Sequence, residues 1–149
     1  GGFTIVELIV VMVIVGILAA FVVPKWRGGT GFEERGFRDE VAAALRYAQK
    51  SAIAARRTVC ATFTTSPSTM TFDISNTYGA ADCSAGVSLV GPDGQVFAFA
   101  AAPPAAFAAA PASLVFDAAG RPNATATFSF TGLPGTQDIT VEPETGYVH

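Results

Sequence analysis

Between Leu8 and Val23 the chain carries no charged residue, and the apolar character reaches back to Phe3 with only Thr4 and Glu7 interrupting it. As an α-helix, residues 3–23 would rise ~30 Å, about the thickness of one bilayer core. A removable secretory signal needs a basic region before the apolar core and a small-residue cleavage site after it. No basic residue precedes this core, and Pro24, Lys25, Trp26 and Arg27 follow it. The segment therefore reads as a retained membrane anchor behind a leader already removed. Lys25, Trp26 and Arg27 suit the headgroup boundary, and their charge weakly favours a cytoplasmic N-terminus.

Past the anchor the apolar residues are interleaved with Thr, Ser, Gly and Pro, the pattern of a soluble, β-rich part. Gly28, Gly29, Thr30 and Gly31 form a break or distorted helical turn. Residues 37–57 show helical periodicity, with Phe37, Val41, Ala44, Leu45, Ala48, Ala52 and Ala55 along one stripe and Arg38, Arg46, Lys50 and Arg57 mostly outside it. An Ala-rich face of this kind suits close packing on a sheet. From Thr58 the period changes to two. Residues 58–65 and 70–74 read as strands joined by a turn at Ser66, Pro67 and Ser68. Further short strands are expected at 86–90, 95–100, 113–116, 126–130 and 139–141, with turns at 117–122 and 142–146. The Ala/Pro tract 98–112 has no clear period and reads as a surface loop. Cys60 and Cys83 are an even pair in a chain expected to leave the cytoplasm. A disulfide between them would close a loop of roughly 24 residues, worth ~3 kcal/mol by chain entropy; the alternative is a pair of buried free thiols.

The stretch Gly2-Phe3-Thr4-Ile5-Val6-Glu7-Leu8 carries the chemistry. An ionised carboxylate in hydrocarbon costs several kcal/mol unless it has a partner. Glu7 lies four residues beyond Phe3, one helical turn from the amine of a chain that begins there, and in a helical stack it could pair with the amine of an adjacent subunit. Such a pair in apolar surroundings penalises every register that leaves the charges apart. The segment resembles the leader junction and first helix of type IV pilins and type II secretion pseudopilins. The resemblance implies cleavage by a prepilin peptidase after Gly2, N-methylation of Phe3, and an assembly role for Glu7. It also assigns Gly16 and Pro24 to the positions where that family carries a helix-weakening glycine and a helix-kinking proline. A start at Gly1 instead would put Glu7 six residues from the amine. Residues 40–53 and 139–148 are similar to the corresponding parts of the minor pseudopilin H and FimT-like pilin subfamily, whose head is two small sheets on the helix.

The expected fold is α+β, a pilin-like lollipop with a long N-terminal helix packed on a C-terminal antiparallel β domain. Residues 1–27 would form the transmembrane and filament-core half of the helix, 28–57 the amphipathic half, and 58–149 the head. By resemblance the function is that of a filament subunit held in the bacterial inner membrane before assembly and in an extracellular or periplasmic filament afterwards. Its partners would be further copies or other pilins, the prepilin peptidase and the assembly platform. Two alternatives stand beside this one: a minor pseudopilin of type II secretion, and a DNA-binding minor pilin. The net charge of −3 and the sparse cations Arg56, Arg57 and Arg121 disfavour DNA, and Arg56-Arg57 read better as a helix-end pair that caps carbonyls. His149 is the sole histidine, which leaves little for a zinc site or a catalytic Ser-His or Cys-His pair; neither enzyme chemistry nor a cofactor is expected. The hydroxyl-rich stretch 62–71 and the sequon Asn123-Ala124-Thr125 are weak glycosylation signals.

Overall fold

The computed structural model describes the backbone of residues 2, 4–27 and 31–149, and the side chains of the same residues except 19–27. The chain divides into two compact units, Gly1–Phe32 and Glu33–His149. The first is the helix α1 (Ile5–Arg27). Thr4 caps it: its carbonyl accepts the N–H of Leu8 (3.2 Å) and its Oγ1 accepts the N–H of Glu7 (3.3 Å). Thr4 and Glu7 thus occupy the N-cap and N3 positions of a capping box, with one of its two bonds formed.

The second unit opens within α2 (Phe32–Ala55), from Glu33 onward. The helix begins five residues ahead of the expected position, with Glu33 and Glu34 in its first turn, where carboxylates favour the positive end of the helix dipole. Phe37, Val41, Ala44, Leu45, Ala48 and Ala52 are buried, as the stripe requires, and Ala42 joins them. The helix ends in a Schellman arrangement. Arg56 takes a left-handed φ of 52°, its N–H bonds the carbonyl of Ile53 (3.3 Å), and the N–H of Arg57 bonds that of Ala52 (3.1 Å). Backbone N–H groups cap these carbonyls; that is a finer account than the side-chain capping expected of the arginine pair.

Two antiparallel sheets follow. In the larger, β1 (Val59–Thr65) and β2 (Ser68–Ser75) form a hairpin in register from Val59↔Ile74 to Thr65↔Ser68. β3 (Gly86–Ser88) and β4 (Ala98–Ala100) share the far edge of β2, at Asp73–Ser75 and Thr69–Thr71 respectively, while β6 (Ser113–Phe116) pairs β1. The smaller sheet has the order β5 (Phe107–Ala109), β7 (Ala126–Phe130), β8 (Ile139–Val141), and Val148 bridges Val141 to close a terminal hairpin. Alternation of buried and outward residues in β1 and β7 turns one face of each sheet into the core.

The tract 98–112 corrects the sequence reading. β4 falls inside the strand expected at 95–100, but the rest of the tract is not a surface loop: it supplies β5, and both Ala105 and Phe107 are buried. Its strands are three residues long, built largely of alanine, and the pairing of β5 shifts register between Phe107 and Ala109, so no period of two can develop. Phe107, 4% exposed, is the hub of the core. Its ring lies 4.9 Å from Phe37 of α2, 6.2 Å from Phe63 of β1, and 6.1 and 5.8 Å from Phe128 and Phe130 of β7. Helix and both sheets therefore meet on one aromatic side chain. Buried Ser68 ties the layers as well, its Oγ accepting the N–H of Phe107 (3.0 Å).

Candidate assembly site

Every described side chain of α1 is exposed within the chain. Ile5 is 80% exposed, and the least exposed large apolar residue of the described stretch, Val10, is still 49% exposed. An all-round apolar helix left open by its own chain has to be covered by something else. Among the described residues no helix is long and apolar enough to cross a membrane; the continuation of the apolar run beyond Leu18 lies outside the described side chains. Glu7 sits in the first turn, and among the described residues its carboxylate has no hydrogen-bond or ion-pair partner. Glu7, Leu8, Val11 and Met12 line one shallow face of the helix. Because the capping bond at Thr4 uses only the backbone of Glu7, the carboxylate is left unused by the fold.

A Cβ at Gly16 would meet nothing within 4 Å, so packing inside the chain does not explain a glycine there. Gly2 is exposed, with open space around it. Phe3 and Gly1 lie outside the described residues, as do Gly28, Gly29 and Thr30 and the side chains of Pro24, Lys25, Trp26 and Arg27. The backbone of α1 runs through Pro24.

The head is pinned by a set of polar side chains that sequence reasoning missed. Arg38 and Arg46, placed mostly outside the apolar stripe, donate to head carbonyls: Arg38 Nε to Gln137 (3.2 Å) and Arg46 Nη2 to Val148 (3.0 Å). Gln49 Nε2 bonds the carbonyls of Gly120 (3.0 Å) and Thr145 (2.9 Å), joining the turns after β6 and β8. The hydroxyl of Tyr47 donates to Val90 (2.8 Å) on the β3–β4 connection. The only sequence signal was helical spacing, since residues 38, 46 and 49 fall on one side of an α-helix. Each partner is about 70 or more residues away along the chain, apart from Val90.

Cys60 of β1 and Cys83 form a disulfide with a Cα–Cα distance of 6.0 Å. It holds the 76–85 loop, which is also fastened by the Thr58 hydroxyl on the Ala80 carbonyl, by Asn76 Nδ2 on the Ala85 carbonyl (2.8 Å), and by the Arg57 guanidinium over the Tyr78 ring (4.9 Å). His149 Nε2 lies 3.0 Å from Glu142 Oε1, and its ring stacks on Tyr147. Among the described residues no group of His, Cys, Asp and Glu could hold a metal ion. The sequon side chain is engaged in the fold: Asn123 Oδ1 accepts the N–H of Val115 (3.0 Å). Burial raises the carboxyl of Glu40 above its ordinary value, and the backbone N–H and hydroxyl of Ser84 hold that of Asp82 below its own.

Residues 38–145 match the family model described as type II transport protein GspH. The structure is similar to that of the type IV minor pilin FimU of Pseudomonas aeruginosa, with a TM-score of 0.54 and 16% sequence identity over 78% of this chain and 87% of that one. At that identity the likeness shows a shared fold. No curated protein matches the chain.

Proposed function

The chain belongs to the family of the type II transport protein GspH, and from that premise we propose that it is a pilin-like subunit that polymerises through α1. The observation that carries this is the contrast within α1: apolar side chains exposed all round, with one unpartnered carboxylate in the first turn. Before assembly the helix is held in the inner membrane; in the filament the same surface is buried by the helices of neighbouring subunits. Lipid and neighbouring helices are equally apolar, so the transfer needs no change in the helix surface. The carboxylate of Glu7 is costly in both settings and finds its partner in a free N-terminal amine. A prepilin peptidase would expose that amine by cutting after Gly2 and would methylate Phe3. Gly16 and Pro24 would let the intervening helix loosen when subunits pack, through low helix propensity at one and a missing N–H at the other. The head, with its aromatic core and its disulfide, is the part displayed on the filament.

The family match favours service in type II secretion, where the subunit would be a minor pseudopilin; the similarity to FimU favours a type IV pilus by fold alone. A tagged full-length chain, expressed in its own host, should be recovered with sheared filaments or with the purified secretion machine. Deletion of its gene should abolish piliation in the first case and secretion in the second. Recovery of the chain in neither assembly would overturn the proposal.

A further inference from the structure

Where α2 passes the edge strand β4, the head carries a groove made of two hollows of about 340 and 330 Å³ that share Glu40. The larger has an apolar floor of Tyr47, Pro92, Phe97 and Phe99. The smaller stays open because its walls include Gly36 and Ala102, and it carries a second carboxylate, Glu33. β4 is paired only with β2, so this side of the sheet has no further strand. Nearby, the β3–β4 connection exposes Val90 (52%) and Val96 (62%), and Tyr47 fastens that connection to α2. Apolar surface gathered beside an open groove marks an interaction face. Glu33 and Glu40 have no ion-pair partner among the described residues, and burial already disfavours the charge on Glu40. They lie seven residues apart on α2, about two turns or ~10 Å along one side. The groove therefore asks for an occupant that brings apolar or aromatic surface together with cations.

One segment of this chain has that chemistry. The apolar run of α1 ends in Lys25, Trp26 and Arg27, an indole flanked by two cations. We propose that the α2–β4 groove docks the Lys25-Trp26-Arg27 end of α1 from a second copy of the chain, with Glu40 and Glu33 as the opposing charges. The indole lies against Tyr47 and Phe97, whose rings are 4.5 Å apart, and the cations reach the carboxylates on either side. Docking pairs the Glu40 carboxylate with a cation, whereas a neutral occupant would only desolvate it further. This rests on the assembly reading above and adds a head-to-helix contact to helix-to-helix packing.

The test is charge reversal in the full-length chain, with self-association measured by sedimentation equilibrium in detergent micelles. Glu40→Lys should weaken association about tenfold, the scale of one ~1.4 kcal/mol charge contact. Lys25→Glu with Arg27→Glu should weaken it further, since both contacts are reversed, and adding Glu33→Lys and Glu40→Lys to that pair should return it to near the unmodified value. Glu40→Gln, which removes the charge at nearly constant volume, should give a smaller loss and guards against a folding defect in the lysine variant. Unchanged association on reversal, no recovery when all four charges are reversed, or no self-association of the unmodified chain would overturn the docking. If tagged Glu40→Lys enters filaments as well as the unmodified chain does, the docking fails while the assembly reading stands. Absence of the unmodified chain from filaments and secretion machine alike would remove the assembly reading itself.

Discussion

The two units of the chain treat apolar side chains in opposite ways. In the head, Phe63, Phe72, Phe107, Phe116 and Phe128 are buried against one another, and polar residues alternate with them along the strands. In α1 no polar residue follows Glu7 in the described stretch, and every described side chain faces outward. Burial of apolar surface is a main source of stability in either setting. The head obtains it within one molecule, whereas α1 needs lipid or other molecules. Head stability and assembly are therefore expected to respond to different substitutions.

The largest effect should come from the hub of the core. Phe107→Ala should cost the head about 3–5 kcal/mol in urea denaturation of the full chain in detergent, as for other buried aromatics. Leu8→Ala in α1 should leave the same transition within ~0.5 kcal/mol. A comparable loss from both would erase the distinction between the units. Next comes the disulfide. Replacing Cys60 and Cys83 together by serine should cost ~3 kcal/mol, read as a lower urea midpoint, because a loop of roughly 24 residues regains its freedom in the unfolded chain.

Gln49→Ala should follow, at about 1–3 kcal/mol by the same assay, since it leaves the carbonyls of Gly120 and Thr145 without their donor. The close seat of this amide also explains the glycine at 146. Its φ is +66°, and a Cβ there would run into the Gly120 carbonyl and the Gln49 amide.

The smallest effect is electrostatic. The carboxyl of Glu40 is raised by burial, so the folded head binds its proton more readily than the unfolded chain does. Between the ordinary value and the raised one the head is thus destabilised as pH rises, and protonation relieves the penalty as pH falls. Glu40→Gln should leave thermal stability at pH 7 unchanged or slightly higher and should flatten its dependence on pH through that window. The same substitution should weaken the proposed docking at the groove, which would separate a residue kept for a partner from one kept for the fold.

How legible these features were in the sequence follows from what each depends on. β6, β7 and β8 begin and end where the sequence pattern places them, because alternation along a single strand records its own burial. The two cysteines leave one possible pairing among themselves. β5 was hidden because alanine carries little pattern and a register shift interrupts what there is. The bonds of Arg38, Arg46 and Gln49 were not legible because their acceptors are backbone carbonyls near the far end of the chain. The groove was invisible for the same reason: α2 forms one wall and residues 92–105 the other. Glu7 stood out from the start, since a lone carboxylate in an apolar helix is anomalous in one dimension.

Glu7 also offers the most direct test. Substitution by alanine leaves the capping bond from the residue 7 backbone to Thr4 in place, so it removes the carboxylate without removing the helix start. Full-length Glu7→Ala should insert in the inner membrane at the level of the unmodified chain and yet be largely missing from sheared filaments or the assembled secretion machine. Incorporation at the unmodified level would contradict the claim that this carboxylate sets the register in which α1 assembles.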